Sequence, residues 1–99
     1  MSSGVTRMVT GSFVGTGSAV DVKTVGFRPR RVELFNVTGL AVAHWTDAMA
    51  DASMVKQVTA GTMTFPTSNG VTPLANGFRL GADGDMNVAA ETVHWVAHE

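Results

Sequence analysis

Short apolar–polar alternations, broken by glycine or proline at roughly 8–12-residue intervals, run the length of this chain and constrain its fold more than any other feature. A period of two sends successive side chains to opposite faces of a strand, whereas an amphipathic helix needs apolar residues three and four apart. Val9, Gly11 and Phe13 interleave with Met8, Thr10, Ser12 and Val14, and Val20 and Val22 with Asp21 and Lys23. Residue types agree with the period: fifteen Val and twelve Thr stand against four Leu and no Ile. β-branched side chains are stiff about χ1 and fit a pleated surface. The expected fold class is all-β.

Strands are expected at 8–14, 20–23, 31–37, 40–45, 54–59, 62–65, 77–80 and 91–98. The segments 15–18, 26–30 (where Pro29 presets φ), 38–39, 60–61 and 81–85 read as turns. The stretch 46–53 is either one helical turn or a loop, and 66–76, with Asn69-Gly70 and Pro73, reads as a long surface loop. Seven or eight short strands so spaced fit a single antiparallel β-sandwich, jelly-roll-like. No linker or repeat divides the 99 residues, which make one domain. Residues 1–9 read as an N-terminal arm and 10–99 as the sandwich. Phe13, Val20, Val22, Val32, Leu34, Phe78, Leu80, Val93 and Trp95 are the expected core.

Charge narrows the function. Seven basic and eight acidic residues leave a net charge of −1, too little for an electrostatic grip on nucleic acid or an anionic membrane. The charged fraction, 15%, lies well below the ~25% of an average soluble domain, so much of the exterior is neutral and available for contact. The absence of cysteine removes disulfides, zinc–thiolate sites and thiol nucleophiles. Neither a secretory pattern at the start nor an apolar run of ~20 residues is present, and no membrane partner is expected.

Few residues are arranged for chemistry. The glycines of 11–17 lack the Lys-Ser/Thr pair and following helix of a phosphate loop. Asp83, Asp85 and Asn87 match the first ligand positions of a calcium loop, but Val88 and His94 stand where that loop needs Gly and a bidentate Glu. They form a weak metal candidate or a tight turn. His94 and His98 lie on one face of a strand, roughly 13 Å apart, too far to share a metal. No serine sits in a nucleophile elbow and no carboxylate pair is set for acid–base work, so neither enzymatic activity nor a cofactor is expected. Asn36-Val37-Thr38 is a glycosylation sequon without a secretory signal. Arg28, Arg30 and Arg31 form the basic cluster and, with Phe27 and Trp45, are open to three readings: a solvated hairpin end, a protein contact, or stacking against single-stranded nucleic acid.

Two segments carry a resemblance. Gly11-Ser-Phe-Val-Gly-Thr-Gly-Ser-Ala-Val-Asp-Val22 with Val25-Gly-Phe-Arg-Pro-Arg-Arg-Val-Glu-Leu-Phe-Asn36 is one, and Asn76-Gly-Phe-Arg-Leu-Gly-Ala-Asp-Gly-Asp-Met-Asn87 continuing to Ala97 is the other. They are similar to patterns in small tailed-bacteriophage virion proteins, including head decoration (cement) proteins and tail-associated jelly-roll modules. The resemblance covers about half the chain and leaves 44–72 unmatched. It implies a structural subunit on the outer capsid surface, assembled in the host cytoplasm and bound to the major capsid protein as a homo-oligomer, a trimer favoured and a dimer permitted. A carbohydrate- or receptor-binding module of a tail, fibre or spike is the alternative. The expected contact residues are Val5, Arg7, Arg28, Arg30, Arg31 and Trp45, with no nucleic acid partner.

Overall fold

The computed structural model describes residues 7–99. Their nine strands are β1 (Met8–Val14), β2 (Val20–Val22), β3 (Arg31–Asn36), β4 (Ala41–Thr46), β5 (Val55–Gln57), β6 (Met63–Thr64), β7 (Val71–Leu74), β8 (Gly77–Leu80) and β9 (Thr92–His98). All pairings are antiparallel, in a six-stranded sheet of order β1-β9-β3-β4-β5-β6 and a three-stranded sheet of order β2-β8-β7. The protein is an all-β sandwich, as the alternation predicts.

Register follows the hydrophobic alternation. In β3, Val32 and Leu34 point inward beside Trp45 and Ala43 of β4 on one side and Ala97 and Trp95 of β9 on the other. A one-residue slip would send this whole set to solvent. The small sheet contributes Val22, Val71, Phe78 and Leu80 to the same core, and Phe78 meets Trp95 edge-on with ring centroids 5.6 Å apart. Of the nine expected core residues, seven are buried; Phe13 and Val20 are half-buried and pack against them.

One expectation needs correction. The segment 66–76 is not all loop, because β7 runs through it and hairpins with β8. Pro73 argued against a strand, yet β7 is an edge strand, where a missing N–H costs no ladder bond. The stretch 46–53 resolves to turns, held by Met49 N–H to Thr46 O (3.0 Å) and Ser53 N–H to Ala50 O (3.3 Å). Strand β1 has the bounds the alternation predicts, Met8–Val14, and of the segment read as an arm residues 1–6 lie outside the described residues.

Candidate functional site

The acidic turn is the densest cluster of charge. Lys56 sits on the inner face of β5, beside Ala43 of β4, and is 9% exposed. Its ammonium donates to both carboxylate oxygens of Asp83 (2.8 and 3.0 Å) and lies 2.8 Å from Asp85 Oδ2. Burial works against that charge. The hydrogen bonds to Asp83 and Asp85 outweigh it and leave the Lys56 pKa raised. Asp83 Oδ2 also accepts the N–H groups of Asp85 and Met86, each at 3.0 Å, and so folds the loop after Gly81.

Asn87 has a different task. Its Oδ1 accepts from Thr16 N–H (3.0 Å), and its Nδ2 donates to Ser18 O (2.6 Å) and Gly81 O (3.0 Å). The calcium-like trio therefore splits. Two carboxylates converge on an internal cation, and the amide ties the β1–β2 turn to the β8–β9 loop.

Asn36 closes the sequon. Its Nδ2, the atom a glycan would need, donates to Asp85 O (2.8 Å) and Glu91 Oε1 (2.9 Å), and the residue is 1% exposed. Its Oδ1 accepts from Thr38 and Gly39 N–H, the side-chain-to-backbone turn that starts the β3–β4 hairpin. Sequence reasoning named Asn36 only as a sequon; its fixed place at the end of a β-run before Thr38-Gly39 was the available sign of a turn former.

Of the expected contact residues, Arg7, Arg30 and Arg31 come together where β9 ends, beside His98 and Glu99, and Arg28 follows Phe27, over whose ring Arg7 lies. Arg7 pairs in two contacts with Glu99 at the chain's other end, one of them Nε to Oε1 at 2.9 Å, and its guanidinium lies 4.9 Å from the Phe27 ring centroid. Those hydrogen bonds raise the Arg7 pKa and lower that of Glu99. Arg30 reaches Asp47 (3.0 Å) and Arg31 reaches Glu33 (2.6 Å), so both have acidic partners in their own chain, and Arg28 is exposed. Trp45 is a correction: it is 1% exposed and donates its indole N–H to Ala50 O (3.3 Å), a core residue rather than a contact. Phe27 is likewise buried, so neither ring presents a face to a nucleic-acid base. Val5 lies outside the described residues. His44 and His94 are exposed on the outer face of the large sheet, with Glu33 and Phe35 as their respective β3 partners. No group of three metal-ligating side chains and no pocket forms among the described residues.

What the surface does offer is apolar. Met8, Val14, Val37, Leu40, Met63 and Phe65 are all more than half exposed. Met8 and Val14 mark the two ends of β1, Val37 and Leu40 the tip of the β3–β4 hairpin, and Met63 and Phe65 the margin at β6. Leu40 stands there with φ of 56°, a left-handed conformation that a leucine enters only at a cost. Thr59 holds the tip in place by donating its hydroxyl to Gly39 O (2.9 Å). Comparison with family models, with curated proteins and with solved structures finds no match to this chain.

Proposed function

We propose that this protein is a structural virion subunit, a capsid decoration (cement) protein that binds the outside of a phage head and stabilises it. One observation carries the reading: polar side chains with the chemistry of a site are engaged inside the fold, while large apolar side chains are displayed outside it. Lys56, Asp83, Asn36 and Asn87 are buried and hydrogen-bonded within the chain, and Asp85 is tied to Lys56. Met8, Val14, Val37, Leu40, Met63 and Phe65 face solvent. Apolar surface on a chain with a net charge of −1 favours contact with other protein over binding of a charged ligand.

The partner on this reading is the major capsid protein, and the chain binds as a homo-oligomer matched to a shell symmetry axis. The resemblance of 11–22, 25–36 and 76–97 to small tailed-phage virion proteins is compatible with this reading and equally with a tail module. A sugar- or receptor-binding module needs exposed aromatic rings beside polar groups, and both tryptophans, Trp45 and Trp95, are in the core. Co-sedimentation of the purified protein with empty expanded shells of the phage that encodes it tests the reading. Saturable binding with a raised shell melting temperature supports it. Absence of binding, together with retention on an immobilised glycan, would favour the receptor-binding module instead.

A further inference from the structure

Among the described residues, the outer edge of β1 has no partner strand. β1 is the outermost strand of the large sheet, and among the described residues it pairs only with β9. Hydrogen bonds at its two ends show which way the backbone faces. Arg7 O accepts from Glu99 N–H (2.9 Å), Gly15 N–H donates to Glu91 O (2.8 Å), and Gly15 O accepts from Ala90 N–H (3.0 Å). In an antiparallel ladder the N–H and C=O of one residue point to the same side, and the side alternates residue by residue. Odd-numbered residues 7–15 therefore bond to β9. Met8, Thr10, Ser12 and Val14 aim their amides and carbonyls outward.

This edge has none of the usual protections. Native sheets blunt long edge strands with charge, proline or a bulge. β1 is seven residues long, MVTGSFV, without charge or proline. Gly11 stands at its centre, and a Cβ there would come within 2.5 Å of the Trp95 ring, so the indole fills the space beneath the strand. The other margin of this sheet, β6, has only two residues.

We propose that β1 pairs antiparallel with β1 of a second copy about a two-fold axis at Gly11, joining two six-stranded sheets into one. Three features select this occupant. The register centred on Gly11 overlaps all seven residues, whereas shifting the axis to Thr10 or Ser12 shortens it. That register places outward-facing Met8 opposite Val14, and Thr10 opposite Ser12, so each open amide meets an open carbonyl. Met8 and Val14, 59% and 58% exposed in the single chain, cover each other across the axis. Charge is compatible as well. The nearest ionised group, Arg7, falls opposite Gly15 of the other copy and is already neutralised by Glu99. An isologous contact of this kind closes as a dimer, which selects the two-fold arrangement over the three-fold one. One paired edge with few side chains lies at the small end of interface sizes, below ~1,200 Å², so the dimer is reversible and grows with concentration.

The inference concerns the purified chain and stands apart from shell binding. Light scattering from micromolar to millimolar concentration, with amide hydrogen exchange on the same samples, tests it. A dimer should form as concentration rises, and the Thr10, Ser12 and Val14 amides should gain at least tenfold protection. Those of Val9, Gly11 and Phe13, already bonded to β9, should change little. The Thr10→Lys/Ser12→Lys protein sets like charges opposite each other across the axis and should remain monomeric with an unchanged fold by circular dichroism. Thr10→Pro removes one outward amide and should have the same effect. A chain that stays monomeric at millimolar concentration would overturn the inference, as would a dimer that survives both substitutions or leaves the Thr10 and Ser12 amides unprotected.

Discussion

Lys56 joins a charge to the core at a cost that only its partners offset. Removing one member of a buried pair strands the other, and such losses run to about 3–5 kcal/mol, whereas replacing both members can be nearly neutral. Lys56→Met should therefore destabilise the protein by about 3 kcal/mol in urea unfolding, because Asp83 loses its ammonium. Lys56→Met combined with Asp83→Asn should recover more than half of that loss, since an amide oxygen still accepts the Asp85 and Met86 N–H groups. Leu40 works in the opposite direction. Its left-handed backbone is costly and its side chain is 64% exposed, so Leu40→Asn should raise stability by about 0.5–1 kcal/mol, asparagine tolerating that conformation. If the tip is a contact surface, the same substitution should weaken shell binding while the free protein becomes more stable.

At the scale of strands, Leu34 occupies the middle of β3, between β4 and β9, and is fully buried. Leu34→Ala should cost about 2–5 kcal/mol, read from the unfolding midpoint. Strands of clear alternation were legible because one face of each is buried and the other wet. β3 shows why: Val32 and Leu34 are inward, Arg31 and Glu33 outward. β7 was not legible, because its proline looks like a breaker until an edge position is known, and sheet order is not a local property. Trp45 illustrates a second limit. It shares a face with Ala41 and Ala43, and that parity places it in the core; its residue type, common at interfaces, suggested the opposite. Of the polar locks only the turn at Asp83 to Asn87 was legible, and the partners were not, since Lys56 to Asp83 and Asn36 to Glu91 span 27 and 55 residues. Arg7 and Arg30 found their acids, Glu99 and Asp47, for the same reason: these pairings depend on which segments become neighbours, whereas Arg31 and Glu33 stand two apart on one strand.

Over the whole molecule, the ion pairs give the pH response two limbs. The raised pKa of Lys56 means that its contribution is complete below the ordinary lysine value and is lost as pH climbs through the higher folded value. Asp21, held down by its hydrogen bonds to Arg79, and Glu99, held down by Arg7, behave inversely. Their contributions are present above ordinary carboxylate values and are lost as pH falls through the lowered folded ones. Both of these carboxylates are open to solvent and screened, so the acid limb they shape should be shallow. Urea midpoints followed by the fluorescence of Trp45 and Trp95, both buried, should hold steady near neutrality and drop at strongly alkaline pH. Lys56→Met should flatten that alkaline drop.

The proposed decoration role requires that the apolar side chains exposed at the hairpin tip and the β6 margin be covered on the shell. Hydrogen exchange on the shell-bound protein, compared with the free protein, measures that covering directly. Binding to the shell should protect the hairpin tip at Val37 to Leu40 or the β6 margin at Met63 to Phe65, while amides of the Asp83 to Asn87 loop keep the protection they already have. Failure to bind shells, or binding that leaves both apolar patches as open as in the free protein, would contradict the account.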